Sequence, residues 1–434
     1  MSPLTLSPVM PSGQALPTAQ SRWVGELDVE APAGEGLVLE DAAGFCRARL
    51  LVRSGRTPLG FVDVPVVDGV VAPEAIRTAL TGSELRRPAD DIADRRRGDD
   101  AEPADGARTP PISVILSTRD RPHFLEVALG SLLGLAYDDF EVVVVDNASA
   151  TPATQQVVAA VADPRVRLVA EPRPGLARAR NRGVLEARYD FVAFTDDDVV
   201  VDRYWLQGVA EGFAAAENVA CVCGMVPSGE LRTFAQAYFD ERVTWARSCV
   251  PRVYDLADPP AEQPLFPFEV GRFGTGANFA MRRQALMSLG GFDEALGVGS
   301  PTRGGEDIDM FVRVLLGGHR LVYQPSAFVW HRHRSEPEAL REQIAGYGVG
   351  LGAWIAKLLV NRRTSPMVLR RAVRALAHAG RMTRVDAVPD VDEEGGGHLG
   401  AVELTSALTG PYRYVVARRA GARPTPLLSG AKGD

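Results

Sequence analysis

Three adjacent carboxylates, Asp196-Asp197-Asp198, directly follow an apolar run at residues 191–195. An apolar run of that length that stops at polar residues is typical of a buried strand. Like charges this close raise one another's pKa values, and a bound divalent cation removes that penalty. Mg²⁺ often takes only one or two carboxylates and lets substrate phosphates complete its shell. The stretch therefore predicts a metal–diphosphate site at the end of a strand, with a solvated acidic turn as the alternative.

A second acidic pair, Glu306-Asp307, opens a predicted amphipathic helix whose apolar residues recur at helical spacing from Ile308 to Leu316. The pair lies in the first turn, where the helix dipole favours the charged form of a carboxylate. The pair is a candidate for chemistry, but taken alone the pattern favours simple N-terminal charge decoration of the helix.

Two histidines, His331 and His333, follow the apolar run at residues 328–330. On an extended segment, residues two apart point to the same face. The spacing therefore makes the pair a candidate for ligand binding, and surface exposure is the alternative.

The elements that must position these groups alternate between strand and helix. Strands are predicted at 112–116, 141–145, 166–169 and 191–195, and helices at 122–133, 151–161 and 175–187. Continuously apolar strands that alternate with helices are typical of a mostly parallel sheet covered on both faces. Such sheets bind ligands beyond the carboxyl ends of their strands. Three of the predicted strands end in polar residues: Ser117-Thr118-Arg119-Asp120, Asp146-Asn147 and Asp196-Asp197-Asp198.

Seven motifs in one order extend this pattern over residues 111–333, about half of the chain. They are Ile112-Ser113-Val114-Ile115-Leu116-Ser117-Thr118-Arg119-Asp120-Arg121-Pro122; Val144-Val145-Asp146-Asn147-Ala148-Ser149; Ala177-Arg178-Ala179-Arg180-Asn181-Arg182-Gly183; Thr195-Asp196-Asp197-Asp198; Gly274-Thr275-Gly276-Ala277-Asn278; Gly304-Gly305-Glu306-Asp307; and Trp330-His331. The chain thereby resembles the inverting family 2 glycosyltransferases. The resemblance implies an α/β fold of the A-type (Rossmann-like) class, with a mostly parallel sheet.

The resemblance also implies roles for individual residues. Asp307 corresponds to the general base, Asp198 to the metal ligand of the Asp-X-Asp element, and His331 to a further metal ligand. The implied nucleotide- and donor-binding residues are Thr118, Arg119, Asp146, Arg180, Asn181, Asp196 and Asp197. The implied acceptor-side residues are Gly276, Asn278 and Glu306.

The implied activity is transfer of a sugar from a nucleoside-diphosphate sugar, with a UDP-sugar favoured, to a hydroxyl group of a discrete acceptor. A divalent metal, Mg²⁺ or Mn²⁺, is the implied cofactor, and a glycan, a lipid-linked molecule or a small molecule is the expected acceptor. Such transfers serve polysaccharide, glycolipid, cell-envelope or natural-product glycosylation. The processive synthases of the family carry a Gln-X-X-Arg-Trp element and several spanning helices, and neither is seen here. Non-processive transfer is therefore expected.

Two rival functions remain. A nucleotidyltransferase is disfavoured because residues 117–121, after the first strand of the predicted sheet, contain no glycine for a phosphate loop. A non-catalytic sugar- or partner-binding protein on the same scaffold is disfavoured because the metal and base positions are all filled.

Composition and segment boundaries complete the predictions. A net charge of −7 argues against a nucleic-acid binder, and four cysteines give no disulfide framework. With no signal peptide recognised, a cytoplasmic location is expected. We predict a small α+β N-terminal module at 1–85, a charged flexible linker at 86–109, a catalytic domain at 110–335, a helical region at 336–385 and a mostly loose tail at 386–434. The apolar stretch at 344–360, with the arginines after it, is interpreted as a docking helix, with peripheral contact to an anionic membrane as the alternative.

Overall fold

The computed structural model describes residues 3–10, 21–31, 36–83, 85–86, 109–243, 247–269, 271–371 and 399–421. The predicted linker at 86–109 lies, except for its two end residues, outside them. The N-terminal module forms two three-stranded sheets, β1-β3-β6 and β2-β4-β5. Its elements are β1 (Leu4–Leu6), β2 (Trp23–Asp28), β3 (Leu37–Leu39), β4 (Arg47–Ser54), β5 (Thr57–Pro65), β6 (Val70–Val71) and α1 (Pro73–Gly82).

The central part of the chain alternates between strands and helices as far as β10 and is less regular beyond it. Its elements are β7 (Ile112–Thr118), α2 (Pro122–Leu133), β8 (Phe140–Asn147), α3 (Ala153–Val161), β9 (Val166–Glu171), α4 (Leu176–Glu186), β10 (Phe191–Asp196), β11 (Val199–Val201), α5 (Trp205–Ala214), β12 (Val219–Gly224), α6 (Phe234–Arg242), β13 (Arg252–Tyr254), β14 (Asn278–Arg282), α7 (Arg283–Ser288), α8 (Glu306–Leu316), β15 (Arg320–Gln324) and β16 (Val329–His331).

An eight-stranded sheet in the order β9-β8-β7-β10-β14-β12-β15-β13 forms the core of this part. Strands β14 and β13 run against the other six. The strands β7, β8 and β12 are almost entirely buried, because their continuous apolar runs are covered on both faces. The predicted α/β class with a mostly parallel sheet is confirmed. The three polar strand ends meet at one edge, since Thr118 pairs with Asp146 and Asp196 pairs with Ser117.

A separate two-stranded ribbon brings distant residues to that edge. Strand β11 begins directly after Asp198 and pairs antiparallel with β16, and the register places Val199 opposite His331. The chain thus leaves β10, turns once and meets a segment about 130 residues further on.

The C-terminal region contains helices α9 (Pro337–Val360), α10 (Leu399–Ala407) and α11 (Gly410–Arg419). The last two correct the prediction of a mostly loose tail for residues 399–421. They pack closely against α9, whose glycines leave room for them: a Cβ at Gly348 would lie 2.2 Å from the carbonyl oxygen of Glu403, and one at Gly352 would lie 1.9 Å from that of Ala407. By length and composition α9 could cross a membrane, yet half of its most apolar window is buried against the rest of the protein.

Candidate active site

Two carboxylates and an imidazole converge where β10 ends. The ligand atoms of Asp196, Asp198 and His331 all lie within 4.8 Å of one another. His331 Nε2 lies 3.2 Å from Asp198 Oδ1, because the β11–β16 pairing brings the two residues together. Carboxylate oxygens with one imidazole nitrogen form a donor set that suits Mg²⁺ or Mn²⁺, so these residues fit the implied metal.

The middle carboxylate, Asp197, is turned into the protein and is 5% exposed. The hydroxyl group of Thr118 donates to its Oδ2 at 2.7 Å, and Arg121 Nη1 donates to its Oδ1 at 2.8 Å. The same Arg121 nitrogen lies 2.9 Å from Asp198 Oδ2. Thr118 and Asp197, both expected on the donor side, therefore contact each other. Arg121 was not predicted as a site residue, although its place in the first motif could have pointed to it.

The two outer carboxyl groups differ in their electrostatic surroundings. Burial raises the pKa of Asp196 to about 6, although Arg180 opposes the rise. Burial would also raise the pKa of Asp198, but His331 and Arg121 hold that pKa well below its usual range. Asp198 is therefore kept anionic, as a metal ligand must be.

A buried arginine connects this acidic group with the Glu306-Asp307 pair. Arg180 Nη1 donates to Glu306 Oε1 at 3.0 Å, and its Nη2 donates to the carbonyl oxygen of Gly276 at 2.8 Å and lies 3.5 Å from Asp196 Oδ1. The backbone N–H group of Gly276 donates to Asp307 Oδ2 at 2.8 Å. A Cβ at Gly276 would lie 3.0 Å from both Arg180 Nη2 and Asp307 Oδ2, which explains a glycine there.

The acidic pair lies in the first turn of α8, as predicted. Gly305 has a φ of +96° at the N-cap, a backbone conformation that favours glycine. Glu306 is buried and Asp307 is half-buried. Burial, together with the neighbouring charge of Asp307, raises the pKa of Glu306 to about 7, although Arg180 opposes the rise.

Because of this raised pKa, ionisation of Glu306 should make the free energy of unfolding depend on pH. The Glu306→Gln variant should lack this contribution. The folded state prefers a neutral Glu306, so the stabilisation is complete below the ordinary pKa of 4.5 and is lost as the pH rises through about 7. The difference amounts to as much as about 3 kcal/mol at 1.36 kcal/mol per pKa unit. The Tm of the Gln variant should therefore rise relative to that of the wild type between about pH 5 and pH 8. Parallel Tm profiles would contradict the assignment.

Asp146 lies at the end of β8 and is 9% exposed. Its buried Oδ1 atom has no hydrogen-bond partner in the part of the chain that the structure describes. Burying a carboxylate oxygen without a hydrogen-bond donor costs free energy. A bound ligand that donates a hydrogen bond to this oxygen would remove that cost. Arg119, the neighbouring candidate, is exposed at the same edge.

Two candidate asparagines are built into the framework of the site. The Asn181 side-chain amide exchanges two hydrogen bonds with the backbone of Phe292, at 2.9 and 2.8 Å. Asn278 is fully buried: it accepts from the indole N–H group of Trp205 at 2.8 Å and donates to the carbonyl oxygens of Met225 and Ala327. Asn181 was expected to contact the nucleotide and Asn278 to lie on the acceptor side. In the structure the amide groups of both residues form hydrogen bonds with other parts of the protein.

Asn278→Ala should lower the free energy of unfolding by about 3 kcal/mol, since it strands a buried indole N–H group and two carbonyl oxygens. Urea denaturation followed by tryptophan fluorescence measures the change. A loss below about 1 kcal/mol would show that water or a rearrangement satisfies these groups.

Residues 113–290 match the family model described as "Glycosyl transferase family 2". The match covers the central part of the chain and agrees with the predicted family over those residues, and the sheet described above agrees with the predicted A-type fold.

Two curated relatives and one solved structure illustrate the similarity. The pre-mycofactocin glycosyltransferase of Mycobacterium tuberculosis is 30% identical over 62% of this chain and 52% of its own length. The succinoglycan biosynthesis protein ExoO of Rhizobium meliloti is 30% identical over 52% of this chain and 61% of its own. A mannosyltransferase of Pyrobaculum calidifontis, solved with GDP-Man and Mn²⁺, is 19% identical over 82% of this chain and 88% of its own, with a TM-score of 0.45. The chain spans about half the length of the mycobacterial relative.

Proposed function

We propose that this protein is a metal-dependent, inverting glycosyltransferase that moves a sugar from a nucleoside-diphosphate sugar to a hydroxyl group of a discrete acceptor. The observation that supports it is the convergence of Asp196, Asp198 and His331, with Asp307 tied to the same group through Arg180 and Gly276. A UDP-sugar is the proposed donor class, and transfer is proposed to be non-processive.

In this proposal the donor lies across the carboxyl ends of β7, β8 and β10. Asp146 contacts the nucleotide base, and Arg119 contacts the nucleotide from the neighbouring strand end. Asp196 contacts the ribose or the donor sugar, and Arg180 fixes the orientation of its carboxylate. Thr118 and Arg121 act indirectly, because they hold Asp197 and the turn that carries Asp198.

Asp198 and His331 are the residues that would hold a divalent cation, Mg²⁺ or Mn²⁺. Such a cation supplies positive charge that stabilises the departing nucleoside diphosphate. Asp198 must then remain anionic, which the positive charge of Arg121 favours.

Asp307 is the proposed general base. As the acceptor oxygen forms its bond to the anomeric carbon, its proton passes to the Asp307 carboxylate, and the bond between that carbon and the diphosphate oxygen breaks on the opposite face. In-line displacement inverts the anomeric configuration. The Gly276 N–H group fixes one carboxylate oxygen, and Glu306 and Gly276 are proposed to border the acceptor.

A panel of nucleoside-diphosphate sugars, offered with Mn²⁺ or Mg²⁺ and a panel of alkyl glycosides, tests this function. We expect nucleoside-diphosphate release from one donor, stimulated by an acceptor, and ¹H NMR of the fresh product should show the inverted anomer. A retained anomer would exclude the in-line mechanism. Release of pyrophosphate in place of a nucleoside diphosphate would indicate a nucleotidyltransferase.

We further propose a cytoplasmic protein that contacts an anionic membrane surface through α10 and α11. Four large side chains of these helices and of the turn between them are exposed: Leu404, Leu408, Tyr412 and Val415. Exposed arginines at 413 and 419 accompany them, and cations beside exposed apolar side chains suit anionic lipid headgroups.

Leu408→Glu should therefore reduce cosedimentation with phosphatidylglycerol-containing vesicles, while pure phosphatidylcholine vesicles bind weakly throughout. Val67→Glu is the matched control, because Val67 is 70% exposed but lies in the N-terminal module. Equal cosedimentation of the wild type and Leu408→Glu would exclude this contact.

A further inference from the structure

The N-terminal module touches the ribbon that carries His331. Trp330 and His331 are consecutive in β16, so their side chains point to opposite faces of the ribbon. His331 faces Asp198, and the indole N–H group of Trp330 donates to Glu26 Oε1 on β2 at 2.8 Å. Trp330 is 2% exposed. The module thus contacts the ribbon on the face opposite the acidic group.

A second buried contact fixes the partner strand of the ribbon. Arg53, on β4, reaches Asp202 Oδ2 at 2.7 Å and Glu26 Oε2 at 2.5 Å. Asp202 follows β11 directly, just as Asp198 precedes it. The Arg53 guanidinium also lies over the rings of Tyr204 and Phe328, at 5.7 and 5.5 Å from their centroids. One cation from the module therefore holds both strands of the ribbon at the ends away from the acidic group.

The backbone of His331 forms hydrogen bonds with residues 227–229, and the N-terminal module contacts the same segment at residue 231. The His331 N–H group donates to Pro227 O, and its carbonyl oxygen accepts from the Gly229 N–H group, both at 2.9 Å. Two residues further on, the Arg22 N–H group of the module donates to Leu231 O at 2.8 Å. Arg49 of the module pairs with Asp240, whose other carboxylate oxygen accepts from the Ser228 hydroxyl group at 2.7 Å.

The ribbon needs this support because it is short. Each strand has three residues, and isolated two-stranded ribbons of any length are marginally stable in water. A ligand held on such a ribbon keeps its geometry only if the surrounding structure fixes the backbone.

We propose that the N-terminal module is a positioning element for the metal-site histidine: through Glu26 and Arg53 it locks Trp330 and Asp202, and thereby holds His331 at the distance from Asp198 that cation binding requires. The inference rests on the proposed function, since it presupposes that Asp198 and His331 bind a cation. It gives the module a role in the site through residues on the face of the ribbon opposite Asp198.

The test is the affinity of the full-length protein for Mn²⁺ alone, measured by the EPR signal of the free ion at fixed pH and well below the Tm of each variant. Arg53→Met removes the positive charge of the guanidinium group but keeps an extended side chain. Trp330→Phe removes the indole N–H donor and keeps an aromatic ring. Arg53→Met should weaken Mn²⁺ binding by about 10-fold, the lower end of the effect of residues that support metal ligands. Trp330→Phe should weaken it less, and Arg53→Lys should recover part of the affinity.

Arg56→Met is the matched control. Arg56 also joins the module to the catalytic domain, through Glu211 on α5 at 3.2 Å, but it is exposed and the contact does not involve the ribbon. It should leave the Mn²⁺ affinity unchanged. Mn²⁺ binding by the wild type that Asp198→Asn abolishes would support the proposed metal site. If the folded variants Arg53→Met and Trp330→Phe then bind Mn²⁺ as tightly as the wild type does, the positioning role is excluded while the metal site stands. Equal weakening by Arg56→Met also excludes it. No Mn²⁺ binding by the wild type would remove the metal site and this inference together.

Discussion

Asp307→Asn should lower kcat for sugar transfer by about 10²- to 10⁴-fold, the contribution that a general base usually makes. The substitution is nearly isosteric. In the wild type the Gly276 N–H group donates to Asp307 Oδ2 at 2.8 Å, and the asparagine oxygen can still accept this hydrogen bond. The fold and donor binding should therefore survive while the proton acceptor is lost. Steady-state rates at saturating donor, with donor KM measured in parallel, separate the two effects.

Asp309→Asn is the control within the same helical turn. Asp309 is buried and pairs with Lys357 at 2.6 Å and with Arg313 at 2.8 Å, so its loss should lower the Tm and leave the chemical step intact. Full transfer by Asp307→Asn would show that another group takes the proton.

Asp198→Asn should weaken Mn²⁺ binding by at least about 10- to 100-fold, the loss that changes in supporting residues already cause, and transfer should fall with it. The substitution would remove the carboxylate of the proposed metal site, and the contact of residue 198 with His331 would weaken. EPR titration of free Mn²⁺ measures the affinity without any need for donor or acceptor.

Asp197→Asn is the matched neighbour. Its carboxylate accepts from Thr118 and Arg121 and does not belong to the group of three converging ligand atoms. We expect a lower Tm with Mn²⁺ affinity close to that of the wild type. An equal loss of Mn²⁺ affinity in both variants would mean that the whole turn, and not Asp198, determines binding.

Local sequence patterns predicted the sheet edge well. Apolar runs that end in Thr118, Asp146 and Asp196 fix both the strands and the place where their polar residues meet, because parallel strands share one carboxyl edge. The first turn of α8 was also predictable. The apolar residues after Asp307 recur at helical spacing, which indicates a helix that begins at the acidic pair.

Contacts between distant segments could not be read in the same way. Nothing local indicates that Val199 pairs with His331, or that Glu26 meets a tryptophan 304 residues away. Strand pairing and buried hydrogen bonds depend on which surfaces the folded chain brings together. Asn278 illustrates another limit of local patterns: its motif suggested contact with a ligand, whereas in the structure three protein groups contact its amide. The C-terminal helices were missed because they pack through close contacts with the glycines of α9, which lie far away in the sequence.

Nucleoside-diphosphate release from the preferred donor, measured in Mn²⁺, then in excess chelator, then after Mn²⁺ is restored, tests the central claim most directly. The site formed by Asp196, Asp198, His331 and Asp307 predicts turnover in the first condition, its loss in the second and its recovery in the third. Turnover that continues undiminished in chelator would contradict a metal-dependent glycosyltransferase.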